Sequence, residues 1–220
     1  MKWLYLAAGV ALFIKMALLA DPTALPPDAS IVYTIVDETG IPNAVSGIIF
    51  RSRLYDTLFE VVVFSVAIMG VRYLMANEPS AETMRTFTDA PSVVLAHLGA
   101  TIAALVGIEL AIRGHLSPGG GFAAGVAGGT AIGLVAVTSS LPMMERAYKQ
   151  WRAAIVEKVS VLIFIAIAAL ALIGVELPQS ELGALLSGGW IPLFNILVAL
   201  KVALGAWAAL LLFIRYRGLL

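Results

Sequence analysis

The sequence predicts an all-α membrane protein of about six transmembrane helices with both termini in the cytoplasm. Three observations carry this expectation. The 220-residue chain is 60% hydrophobic and only 13% charged, where a soluble domain is nearer half apolar and a quarter charged. The apolar excess falls in discrete blocks of about 20 residues, the length that crosses bilayer hydrocarbon. Lysine and arginine collect in alternate connecting segments, in the manner of the positive-inside rule. The same composition bears on function. Zero net charge gives no electrostatic support for a nucleic-acid partner. With no cysteine there is no thiolate zinc site and no iron–sulfur ligand. His97 and His115 alone offer little to haem or copper, so neither a metal nor a cofactor is expected.

Six stretches qualify as spans: Trp3–Ala20, Leu58–Met75, Val93–Ile112, Phe122–Leu141, Ile155–Val175 and Ile191–Ile214. The first has the length of a secretory signal, but its only basic leader residue is Lys2 and Lys15 interrupts its apolar run. The "ADPTALPPDAS" behind it is a poor cleavage site, so an uncleaved helix is expected. Residues 21–53 are too long and mixed for a simple turn. "DPTALPPDAS" reads as extended, and "IVYTIVDETG" as a short strand-like piece before Pro42. "NAVSGIIF", Asn43–Phe50, is apolar but far too short to span, which suits an interfacial or re-entrant stretch buried against neighbouring protein.

The second span ends at Arg72 with Arg85 beyond it. The polar loop Ala76–Pro91 holds Pro79 and Pro91 and divides the chain into segments 1–88 and 89–220. After the fourth span, the loop "MMERAYKQWRAA" supplies Arg146, Lys149 and Arg152, and the C-terminus supplies Arg215 and Arg217. "LPQSELGALLSGG", after the fifth span, has no Lys or Arg. Both termini and the loops after spans two and four are therefore expected inside, although Arg51, Arg53 and Arg113 then lie toward the outer side. No clear internal repeat relates the halves, so the inverted-repeat signature of many transporters is missing.

Residues 113–129, "RGHLSPGGGFAAGVAGG", interrupt the apolar pattern with a glycine-rich turn. Phosphate cradling fails on context: no Gly-Lys-Ser/Thr follows, and the strand and acidic residue of a dinucleotide fingerprint are lacking. Pro118, Gly119 and Gly120 make a tight, irregular helix entry. Gly121, Gly125, Gly129 and Gly133 then recur every four residues, a small-residue ridge that lets another helix approach closely. The spacing does not say whether that helix belongs to this chain or to another subunit.

Ionisable groups inside spans are costly and mark ion or proton paths by default. Lys201 lies deepest, between "LFNILVAL" and "VALGAWAALLLF". Asp56 and Glu60 share a face near the start of span two, one turn apart. Glu109 and Arg113 pair at the end of span three. His97, near its start, lies about 120° around from Glu109 and does not share its face. Structural alternatives stand beside each of these. Lys15 can snorkel, Glu109–Arg113 can be a static pair, and His97 can be a satisfied interfacial histidine. Glu157 and Lys158 read as an interface pair. Asp56, Glu60, His97, Glu109 and Lys201 are the candidates for handling ions or protons.

Arg113, Gly114, His115, Pro118, Gly119, Gly120, Gly121 and Phe122 reproduce the pattern Arg-Gly-His-x-x-Pro-Gly-Gly-Gly-Phe. Residues Ser92 to Leu220 thereby resemble the B subunit of Mrp-type multisubunit sodium/proton antiporters, a four-helix membrane protein. Ala123 and Ala124 stand where that family often has further glycine. The first half resembles a different component. In "NAVSGIIFRSRLYDTLFE", the residues Asn43, Val45, Ile48, Phe50, Arg53, Tyr55, Asp56, Thr57, Leu58 and Glu60 match a module at the C-terminal end of the large A subunit. The same module occurs as a small subunit of membrane-bound hydrogenases. Ser46 replaces its usual threonine, Phe59 its glycine, and Arg51 stands where an acidic residue is common.

The resemblance implies a fusion of two modules. It further implies a non-catalytic subunit of a multisubunit sodium/proton antiporter in the inner (cytoplasmic) cell membrane. Such a subunit would contribute to the sodium route and to assembly, with other membrane subunits, sodium ions, protons and lipid as its partners. The alternative is the same module in a respiratory complex related to membrane-bound hydrogenase, coupling redox work to ion pumping. A stand-alone transporter would need paired broken helices, and only one glycine-rich break is present.

Overall fold

Every regular element is helical in the computed structural model, which describes residues 10, 14, 29–81 and 86–218. The elements are α1 (Ala29–Thr39), α2 (Ala44–Gly47), a π-helical turn (Ile48–Ser52), α3 (Leu54–Met75), α4 (Ala90–Arg113), α5 (Gly120–Ala136), α6 (Leu141–Gln150), α7 (Ala153–Leu172) and α8 (Ile191–Arg217). The chain divides into two compact units, Met1–Thr34 and Ile35–Leu220. The expected first span, with Lys15, lies outside the described residues apart from Val10 and Ile14, as does Arg85.

Among the described residues, α3, α4, α7 and α8 are long and apolar enough to cross a membrane, and α5 is a shorter apolar helix. The expected fourth span, Phe122–Leu141, thus stops early. The 17 residues of α5 rise about 25 Å. Thr138, Ser139 and Ser140 follow, hydroxyl residues that compete for backbone groups, and Thr138 bonds the Val135 carbonyl (3.1 Å). Pro142 then prevents direct continuation.

Two further expectations are corrected. The strand-like piece at 31–40 is the body of α1. Its β-branched content favours a strand, but Ile35 and Thr39, one turn apart, both lie against Gly47 of α2, a helical spacing. Gly40 closes the helix at φ 67°, its N–H on the Val36 carbonyl (2.9 Å), in the left-handed cap that glycine adopts freely. The stretch "MMERAYKQWRAA", expected as a loop, contains α6. That helix buries Met144, sets Tyr148 edge-on against Trp207 (5.2 Å between rings), and leaves Arg146 and Lys149 exposed. Arg152, at φ 48°, makes the turn into α7.

Helix α8 is the axis, packing against α3, α4, α5, α6 and α7. The glycine ridge of α5 docks on it. A Cβ on Gly121 would lie 2.4 Å from the Asn195 carbonyl oxygen, and one on Gly125 would lie 2.4 Å from Val202 Cβ. One on Gly129 would meet Ala206 at 2.9 Å, and one on Gly133 would meet Leu210 at 3.6 Å. At Gly121 and Gly125 the backbones are close enough to require residues without a side chain. On the opposite side of α8, Phe194 stacks with Phe50 (5.6 Å) and meets Phe164 of α7 (5.0 Å). A second cluster joins Ala136, Met144, Ala153, Trp207 and Ile214.

Candidate functional site

The two sequence signatures meet at the turn that joins α4 to α5. That turn leaves carbonyl groups without helical partners. Asn43 donates through Nδ2 to the carbonyls of Gly114 (2.7 Å) and Ser117 (2.8 Å), and the Ser46 hydroxyl donates to Gly114 (2.9 Å). The Asn43 N–H donates to the His115 carbonyl (3.2 Å), while its Oδ1 caps α2 at the Ser46 N–H (3.3 Å). Gly119 and Gly120, at φ 137° and 73°, turn the chain into α5 through conformations that other residues rarely adopt. The incoming helix is met by buried Asn195 of α8, whose Oδ1 accepts the Gly121 N–H (2.8 Å). Asn195 was not singled out by sequence; the signal was a lone amide inside the apolar run "IPLFNILVAL".

His115 lies within this turn, fully buried, and neither ring nitrogen has a hydrogen-bond partner among the described residues. Burial pulls its pKa below the usual histidine value, with the nearby backbone of Ala184 and Leu185 opposing.

Below the turn opens a cavity of about 770 Å³ bounded by the π-helical turn, α3, α5 and α8. Its wall is mostly apolar, with Asn43, Ser46 and Thr57 toward the glycine loop, exposed Glu60 at its open edge and buried Lys201 inside. Lys201 is 1% exposed, and its ammonium is ion-paired with Glu157 of α7, itself 13% exposed. The Phe64 ring of α3 lies 5.3 Å from Nζ, within cation–π range. Phe64 is wedged against Gly205, one turn beyond Lys201, where a Cβ would stand 2.5 Å from the ring. The expected Glu157–Lys158 pair does not form: Glu157 turns inward to Lys201, and Lys158 is exposed. The missed signal was periodicity, because Glu157 falls on the same stripe of α7 as buried Ala153, Ser160, Phe164 and Ala168. Tyr148 stands near this pair. Its phenol pKa is pushed up by burial and further by the Glu157 charge, while Arg72 opposes.

The other candidates lie apart. Asp56 is exposed and pairs with Arg53 on its own helix start. Glu109 and Arg113 pair at 3.1 Å on the exposed face of α4. His97 lines a different groove, with Trp151 and Trp207. Arg51, which stands where an acid is common, reaches Glu176 beyond α7 (2.8 Å). The described residues contain no cluster of His, Asp and Glu suited to a metal ion.

Residues 91–208 match the family described as a domain related to the MnhB subunit of Na+/H+ antiporters. No curated protein matches the chain by sequence. Two solved structures are similar. A chain of the membrane-bound sulfane sulfur reductase, an archaeal respiratory membrane complex, aligns over 98% of this chain and 99% of its own, with a TM-score of 0.73 and 25% identity. A chain of the Mrp complex from Dietzia sp. DQ12-45-1b aligns over 94% of this chain with a TM-score of 0.68 and 19% identity. This chain spans 25% of that longer Dietzia chain.

Proposed function

Because the chain belongs to the family of domains related to the MnhB subunit of Na+/H+ antiporters, and is a multi-pass membrane subunit of that kind, we propose that it supplies part of the sodium and proton route. The single observation that carries this reading is the cavity in which Glu60 and Lys201 face a common space. A carboxylate at the mouth of a low-dielectric cavity attracts a cation, and a buried ammonium behind it stops that cation from passing freely. Asp56, held by Arg53, sits one turn before Glu60 at the approach. His97 and Glu109 are secondary candidates on faces open to lipid or to other subunits.

Segments 1–88 and 89–220 are read as fused modules. The hydrogen bonds from Asn43 and Ser46 to the 114–117 turn support a fixed junction between them. The membrane is taken to be the inner cell membrane. Glu60→Gln in the intact complex is expected to lower sodium-driven proton movement in inverted membrane vesicles at least tenfold without loss of assembly. Unchanged antiport would overturn this ion route.

A second reading, a redox-driven respiratory pump, is favoured by the end-to-end match to a chain of the archaeal respiratory complex. Gentle solubilisation, isolation through this chain and mass spectrometry separate the two. Large antiporter-like subunits alone support the antiporter, and co-isolated metal-cluster proteins support the pump.

A further inference from the structure

The Lys201–Glu157 pair costs more to bury than adhesion between α7 and α8 requires. Phe164 and Ala168 already pack on α8 beside Phe194, and apolar replacement of a buried ion pair is often neutral or stabilising. Its position suggests what the pair separates. On one side Lys201 borders the cavity that holds Glu60, with the Phe64 ring over its ammonium. On the other side Glu157 occupies the first turns of α7, where Tyr148 feels both its charge and that of Arg72 at the end of α3. The charged groups facing Lys201 are therefore Glu157 on α7 and Glu60 on α3, while α5 carries no ionisable residue. The pair lies between the cavity and the membrane face bearing α6.

We propose that Glu157 is a proton-carrying residue that exchanges protons with the Arg72–Tyr148 side and passes them to and from Lys201, which divides it from the cation cavity at Glu60. This rests on the reading of the cavity as part of the ion route. An alkali cation at Glu60 raises the cost of holding an ammonium in the same low-dielectric space. The proton then moves from Nζ of Lys201 to Oε1 of Glu157, leaving a neutral amine and a neutral acid. Its release past Tyr148 restores the carboxylate. When the cation leaves, a proton entering from the cavity that Lys201 lines re-forms the ammonium and the pair, so each cycle carries one proton between the cavity and the Tyr148 side.

The test compares sodium-driven proton movement in inverted vesicles carrying the complete complex. The double variant Glu157→Gln/Lys201→Met removes both charges together and so leaves no unpaired ion in the core. It is expected to assemble and to lose at least tenfold in rate, whereas a pair that only holds helices together would leave transport at the parental rate. Glu157→Asp keeps the charge with a shorter reach and a more acidic carboxyl. It is expected to retain a fraction of the rate and to shift the pH profile toward acid. Its profile decides the matter should the double variant fail to assemble, and an unshifted profile overturns the proposal. Glu60→Gln separates the two failures. If it abolishes transport while the double variant transports normally, the role of Glu157 falls and the cavity reading stands. If both variants transport normally, both readings fall.

Discussion

His115 is a titratable ring with no exposed surface, set against the backbone of Ala184 and Leu185, so its protonation is tied to folding. Burial disfavours the imidazolium, and the native pKa lies below the ordinary 6.5. As pH falls through that value the unfolded chain takes up the proton first, so stability is intact above about 6.5 and declines below it. The decline continues until the native pKa is reached. One such group contributes a slope of at most about 1.4 kcal/mol per pH unit. Thermal unfolding of the detergent-solubilised protein between pH 7.5 and 5.5 is expected to show this loss, and His115→Leu to flatten it. A slope unchanged in the variant would assign the loss to other groups. His115 is legible in the sequence as part of a motif, but its burial is not. The residues that cover it, around Ala184 and Leu185, come from a loop about 70 positions later that has no periodic signal of its own. Lys201 is readable as a buried charge from its apolar flanks alone. Its partner is not, because Glu157 lies near a helix start beside Lys158, and local spacing offers a neighbour more readily than a residue 44 positions away.

At the level of the element, α5 and α8 show how much of a helix contact a sequence can encode. A repeat of small residues every fourth position specifies a face that can approach a neighbour closely, and here the neighbour is in the same chain. The repeat does not grade its own members; the geometry does. At Gly125 an added methyl meets Val202 Cβ at 2.4 Å and the Ala199 carbonyl at 2.8 Å, whereas at Gly133 the nearest atom is a leucine methyl at 3.6 Å. Gly125→Ala must therefore push the backbones apart and is expected to cost about 1–3 kcal/mol. Gly133→Ala is expected to be near neutral. Melting temperatures of the two variants in one detergent would check this order, and equal losses would mean that the helices slide freely on each other. The second, third, fifth and sixth spans were legible because hydrocarbon thickness sets their length. The helices α1 and α6 were not. Both are short, and their helical form follows from packing and capping more than from composition: Gly40 and Gly47 fix α1, and Met144 and Tyr148 fix α6 against Trp207.

For the molecule as a whole, the two ends of α8 define two chemically different faces. At its start lie the glycine loop, the adjoining end of the cavity and the Arg51–Glu176 pair. At its end, Arg215 pairs with Glu145 and Arg217 approaches Glu78 (3.9 Å), with the exposed Arg146 and Lys149 of α6 alongside. By the positive-inside rule, the density of basic residues on the second face makes the cytoplasm its expected side. The glycine-loop end of the cavity is then expected on the outer side, and protons passing Glu157 would enter or leave on the inner side. The absence of cysteine from the sequence makes this directly measurable, because a single introduced thiol has no background within the chain. Glu181→Cys, in the exposed segment between α7 and α8, is expected to react with a membrane-impermeant maleimide in intact cells. Lys149→Cys is expected to react only after permeabilisation. The reverse pattern would turn the molecule over, place the glycine-loop end of the cavity in the cytoplasm and exchange the sides on which Glu60 and Glu157 meet their ions.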